Sequence, residues 1–179
     1  MKILNLPNTL TVARIVIIPV FITAVIYRKN DYALYLFVAA ALTDLLDGFL
    51  ARLTNQKTPL GTFLDPLADK CLLVSSFILF AVYGWIPLWL TITVISRDII
   101  VVLGWFILYM VTSSARVEPL FLGKAAIALQ LITLALVLLN VNLSSALPSQ
   151  EALFIATAAA TALSGLQYIY KGLRLADAF

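Results

Sequence analysis

In Asp44-Leu45-Leu46-Asp47-Gly48-Phe49-Leu50-Ala51-Arg52, two carboxylates sit inside an otherwise apolar run, and a second pair follows at Asp65 and Asp69. Four of the nine acidic residues thus fall within 26 positions. Asp44 and Asp47 are three apart and Asp65 and Asp69 four apart; on helices either spacing puts a pair on one face. Gly48 and Ala51 continue the first face and let a ligand approach the backbone, and Arg52 closes the run. Each carboxylate placed in hydrocarbon costs at least about 2.5–3.5 kcal/mol, and clustered carboxylates repel one another strongly in a low dielectric. The nearby bases Arg52 and Lys70 offer two charges against four. Bound divalent cations answer both problems. An all-oxygen donor set, in a chain without His, favours one or two hard ions, Mg²⁺ first, with Mn²⁺ or Ca²⁺ as substitutes. The competing reading is helix capping, because Asp65 followed by Pro66 suits an N-cap and first turn. Capping leaves Asp44, Asp47 and Asp69 unexplained.

The flanking sequence identifies the solvent. Of 179 residues, 63% are hydrophobic and only 12% charged, where a soluble domain carries roughly 25% charge; the mean hydropathy is +1.03. Apolar runs near the roughly 20 residues that cross a bilayer recur six times: 9–27, 32–53, 66–83, 87–112, 120–141 and 152–170. The expected fold is therefore an all-α polytopic membrane protein of six transmembrane helices, a single domain over 1–179. A short interfacial segment, Lys2 to Asn8, leads in, with Ile3, Leu4 and Leu6 at the acyl boundary and Asn8 or Thr9 as a helix cap. The first run is too long, and lacks the small-residue site, for a cleaved signal peptide. Cys71 is the one cysteine, so no intrachain disulfide forms and inert packing is its expected role. No nucleic-acid partner is expected.

Six spans put both termini on one side. That side carries Lys2, Arg52, Lys57, Arg116, Lys124, Lys171 and Arg174, against Arg28 and Lys29 opposite. The positive-inside rule places the seven, the termini and the carboxylate end in the cytoplasm, where the net +3 charge attracts anionic headgroups of membrane lipids. Trp85 and Trp89 suit the headgroup level, and Pro19 should kink the first span. The small-residue run Ala156 to Ala162, ending in Ser164 and Gly165, serves either internal packing or a homodimer face.

The eight positions Asp44, Asp47, Gly48, Ala51, Arg52, Gly61, Asp65 and Asp69, at these spacings, resemble the signature of the CDP-alcohol phosphatidyltransferases, D-x2-D-G-x2-A-R-x8-9-G-x3-D-x3-D, and all eight match. The resemblance implies a compact six-helix core with a cytoplasmic active site. It implies that Asp44, Asp47 and Asp65 hold the metals that bind the diphosphate of CDP-diacylglycerol, and that Asp69 borders the metals and acts as general base. Gly48, Ala51 and Arg52, with Asp44, would line the CDP-lipid site, and Gly61 would turn the loop between helices.

Two further regions bear on the acceptor. Leu6-Pro7-Asn8-Thr9-Leu10-Thr11 with Arg14 resembles the opening shared by family members that make phosphatidylglycerol phosphate and cardiolipin. In Ser96-Arg97-Asp98, Arg97 either neutralises Asp98 as a buried pair or grips an acceptor phosphate bidentately. Many phosphatidylglycerophosphate synthases carry a second Arg eight residues on, where this chain has Trp105, and a Gly-Lys-x-Lys-Thr run, where it has Gly123-Lys124-Ala125-Ala126-Ile127. Thr43 to Phe49, Leu64 to Lys70, Ser96 to Asp98, and Ala115-Arg116 through Lys124 to Gln130 instead resemble the eukaryotic-type cardiolipin synthases. The resemblance therefore implies phosphatidylglycerol as acceptor, with one charge and two acyl chains, and glycerol 3-phosphate as the alternative. Arg97, Arg116 and Lys124 would hold it, unless Arg116 and Lys124 only set topology. An ion or proton carrier would also keep acids in the membrane, but the broken helices and internal repeats of such proteins are missing from the sequence.

Overall fold

The computed structural model describes residues 6–54, 59–112, 121–143 and 150–176, with side chains at 9, 11–43, 68–107, 110, 121–143 and 150–174. They form six helices: α1 (Leu6–Ile26), α2 (Asn30–Thr54), α3 (Pro59–Val82), α4 (Leu88–Thr112), α5 (Phe121–Leu143) and α6 (Glu151–Ala176). No strand occurs among the described residues.

The outer surface differs from that of a water-soluble bundle. Large apolar side chains face outward on every helix, among them Val16, Tyr35, Val82, Phe106, Ile132 and Leu166, while Thr11, Arg14, Ser76, Arg97, Gln130 and Thr161 are buried. So much exposed apolar surface is stable only against lipid. Leu88–Ile107, Phe121–Leu143 and Glu151–Arg174 are each long and apolar enough to cross a membrane, and Thr11–Ile26 is a shorter apolar segment. The chain is an integral membrane protein.

Two helix starts differ from expectation. Helix α1 already includes Leu6 to Asn8, so that part of the expected lead-in is a first helical turn; Lys2 to Asn5 lie outside the described residues. Helix α3 starts at Pro59, where a missing amide proton is harmless, rather than at Pro66. Asp65 and Pro66 are therefore interior, which removes the capping reading for Asp65. Gly61 likewise stands in the first turn of α3 and not in the connecting loop.

The exit from α1 is a Schellman motif. Lys29 N donates to Ala24 O at 2.9 Å and Arg28 N to Val25 O at 3.0 Å, and Arg28 takes a left-handed φ of 56°, the conformation this motif demands after the last helical residue. The three-residue link then feeds α2 directly.

By its internal contacts the chain divides into two compact units, 1–82 with 135–145, and 83–134 with 146–179. In the first, α1 packs on both α2 and α3. Phe21 and Phe37 meet with ring centroids 5.8 Å apart, and Asn142 Nδ2 donates to Asn30 O at the start of α2. In the second, α4 packs along α6. Helix α5 adds Gln130 Nε2 donating to Thr161 Oγ1 at 2.9 Å, and the Thr133 and Thr157 hydroxyls 2.7 Å apart. The run on α6 turns Thr157, Thr161, Ser164 and Gly165 inward, whereas Ala156, Ala159 and Ala162 face outward.

Candidate active site

Helix α2 carries Asp44 and Asp47, and α3 carries Asp65 and Asp69. Both helices run unbroken through these positions, so the three- and four-residue spacings do put each pair on one helical face. Asp44, Asp47, Gly48, Ala51, Arg52, Gly61 and Asp65 are placed by backbone alone, their side chains lying outside the described set. Asp69 is described in full. Its side chain is 41% exposed, and its Oδ1 accepts a hydrogen bond at 2.6 Å from Nη1 of Arg14, which is 0% exposed.

This ion pair corrects the charge tally made from sequence, which matched four carboxylates with Arg52 and Lys70. Arg14 is a third cation, delivered from α1 across 55 residues of chain. The missed signal was Arg14 itself, since a cation within an apolar helix needs a partner. The donor set still fits a hard divalent ion: oxygen ligands only, paired on faces of two successive helices. An ionised carboxylate has about four acceptor sites, so the bond to Arg14 does not remove Asp69 from that set.

The second unit seats Arg97. It is 6% exposed; Nη1 donates to Asp98 Oδ1 at 2.8 Å and Nη2 to Ser164 Oγ at 2.7 Å. The guanidinium carbon lies 5.5 Å from the Tyr168 ring centre, within range of a cation–π contact. Two glycines make room. A Cβ on Gly165 would stand 3.2 Å from Arg97 Cγ, and one on Gly123 would stand 3.1 Å from the Tyr168 hydroxyl and 3.3 Å from Arg97 Nη2. The expected Arg97–Asp98 pair therefore exists, but Ser164, Tyr168 and the glycines escaped the sequence reading because they are remote in the chain. Nε of Arg97 is buried with no hydrogen-bond partner among the described residues, donor capacity suited to an oxyanion. Gly123 brings the backbone just before the exposed Lys124 against this seat. Arg116 lies outside the described residues.

The chain belongs to the CDP-alcohol phosphatidyltransferase family, whose profile matches residues 4–164. Among its relatives, the cardiolipin synthase (CMP-forming) of Rattus norvegicus is 36% identical over 186 residues, spanning 94% of this chain and 61% of the rat protein. A probable phosphatidylglycerophosphate synthase of Mycobacterium tuberculosis (strain CDC 1551 / Oshkosh) is 32% identical over 97% of this chain and 84% of its own. The CDP-diacylglycerol–glycerol-3-phosphate 3-phosphatidyltransferase of Salmonella choleraesuis (strain SC-B67) is 36% identical over 92% and 93%. Overall identity thus does not separate the two acceptors. The family generally depends on divalent metal.

Proposed function

We propose that this chain transfers a phosphatidyl group from CDP-diacylglycerol to phosphatidylglycerol, releasing CMP and forming cardiolipin at the cytoplasmic face. The reaction class rests on one observation: four carboxylates at the family spacing on α2 and α3 of a family member. Asp44, Asp47, Asp65 and Asp69 would hold one or two Mg²⁺ ions, which when bound neutralise the diphosphate and favour departure of CMP. Gly48, Ala51, Arg52 and Gly61 line the CDP side. Asp69 accepts the proton of the acceptor hydroxyl as its oxygen bonds to the lipid-side phosphorus and the bond to the CMP oxygen breaks. Arg97, Arg116 and Lys124 hold the acceptor phosphate.

The choice of acceptor is supported by what surrounds Arg97. Two of its five donors are already given to Asp98 and Ser164, and two turns along α4 stands an exposed apolar Trp105 instead of a second cation. Such a site suits a singly charged phosphodiester better than a dianion. Glycerol 3-phosphate is the second reading, carried by the Salmonella relative's near-complete coverage.

The test is CMP release by the purified chain in detergent with Mg²⁺ and CDP-diacylglycerol, offering each acceptor in turn and identifying lipid products by mass. Cardiolipin from phosphatidylglycerol is expected, and excess chelator should stop it. Phosphatidylglycerol phosphate from glycerol 3-phosphate, without cardiolipin, would reverse the assignment. Silence with both acceptors, together with cation uptake into vesicles, would favour a carrier.

A further inference from the structure

We propose that Arg14 is a positioning residue for turnover: through Nη1 it holds Asp69 Oδ1 and so fixes the orientation of the carboxylate that receives the acceptor's proton. The inference rests on the reading of Asp69 as that base. Arg14 occupies the middle of an apolar helix and is 0% exposed, so it serves neither as a loop charge that sets topology nor as a contact for lipid headgroups. Thr11 shares its buried face of α1, whereas Val12, Ile15 and Val16 point outward. Burial on this face locks the guanidinium, and α1 packs on α3, so the donor is held by two packed helices. Its acceptor, by contrast, is a two-torsion side chain with 41% of its surface exposed.

That contrast sets the direction of control. A fully packed donor at 2.6 Å fixes a partly solvated acceptor, and general-base transfer needs the carboxylate within hydrogen-bond reach of the attacking hydroxyl. A misplacement of 1 Å at such a step can cost about 10²-fold in rate. The chain opening from Leu6 to Arg14 thereby gains a physical purpose: it is the strut that carries the guanidinium to α3. A lysine would keep the charge but lose the planar fork that defines direction.

Arg14→Lys and Arg14→Gln, made in the full chain in detergent, test this against wild type and Asp69→Asn. Measured on each are kcat, KM for CDP-diacylglycerol, equilibrium binding of CDP-diacylglycerol and the melting curve. For Arg14→Lys the expectation is a folded protein with unchanged CDP-lipid binding and KM, and kcat lowered about 10- to 100-fold. Arg14→Gln should bind the CDP-lipid as well and turn over more slowly still. A wild-type kcat per folded molecule in Arg14→Lys, while Asp69→Asn is dead, overturns the positioning role and leaves the base standing. An active Asp69→Asn overturns the base and this inference with it. Failure of both Arg14 variants to fold would reduce the pair to a structural strut and also overturn the proposal.

Discussion

Asp69 meets two demands at once, neutralising a buried guanidinium and, as proposed, taking a proton. Asp69→Asn separates them, because an amide oxygen still accepts from Arg14 but carries no charge. We expect turnover to fall about 10²-fold or more while CDP-diacylglycerol binding is retained. The melting temperature should drop too, since stripping one partner from a fully buried pair costs about 3–5 kcal/mol and less where, as here, one partner is partly exposed. Binding and folding lost in equal measure would assign Asp69 to structure instead. The seat of Arg97 yields a sharper steric test. In Gly165→Ala the new methyl stands 3.2 Å from Arg97 Cγ, and the guanidinium is anchored at both Nη atoms, so the stem has little slack. Overpacking of about 1–3 kcal/mol should outweigh the roughly 1 kcal/mol that alanine adds to a helix. Gly104→Ala, with nothing within 4 Å of its Cβ, should melt no lower than wild type. Thermal unfolding of the two variants side by side in detergent decides it; equal melting would mean the Arg97 seat is looser than its distances suggest. At this scale the sequence disclosed only neighbours. Arg97 and Asp98 adjoin and were legible as a pair, whereas the bonds from Arg14 to Asp69 and from Arg97 to Ser164 span 55 and 67 residues and follow from helix packing that no local pattern encodes.

Helices were read more completely than contacts, because apolar length is a property of composition. All six fall on the expected runs, and the main error, at α3, arose from treating Pro66 as a starter when Pro59 already fills that place. Asp65 followed by Pro66 reads locally as a cap and first turn, so the expected run omitted the turns that carry Gly61 and Asp65. Polar side chains within those runs did carry a signal. Gln130 and Thr133 are three apart, and Thr157, Thr161 and Ser164 repeat at four and three, each set one helical stripe. The Thr133–Thr157 contact has a property that predicts non-additivity. Each hydroxyl also lies 2.8 Å from the carbonyl four residues back, Leu129 O or Leu153 O, so three oxygen contacts share two protons. Removing one hydroxyl, as in Thr157→Val, therefore forfeits the cross-helix bond but frees the other threonine to satisfy its own carbonyl. We expect a loss near about 0.6 kcal/mol, at most about 1.7, and little further loss in Thr133→Val with Thr157→Val. A double-mutant cycle by unfolding in detergent reads the coupling; strict additivity would mean the two helices gain nothing from the bond.

For the whole molecule, the distribution of Lys and Arg predicts an orientation that the helices alone do not. Among the described residues three helices satisfy the length and composition needed to span; if all six cross, the bases near the span ends divide seven against two between the two sides. We propose on that basis that Lys2 and Gln56 lie on the cytoplasmic side and Ser149 on the opposite side. Orientation follows Lys and Arg near span ends rather than net charge, so Arg28 and Lys29 oppose the rule locally without reversing it. The arrangement can be read with a thiol reagent that does not cross membranes. Cys71 is exposed and must first be removed, which Cys71→Ala does without leaving another thiol in the chain. In that background Ser149→Cys should be labelled on intact cells, whereas Lys2→Cys and Gln56→Cys should react only after permeabilisation. Labelling of Lys2→Cys and Ser149→Cys from the same side would require an odd number of crossings between them to be replaced by an even one. It would also overturn the proposed placement of the carboxylate end of α2 at the cytoplasmic face.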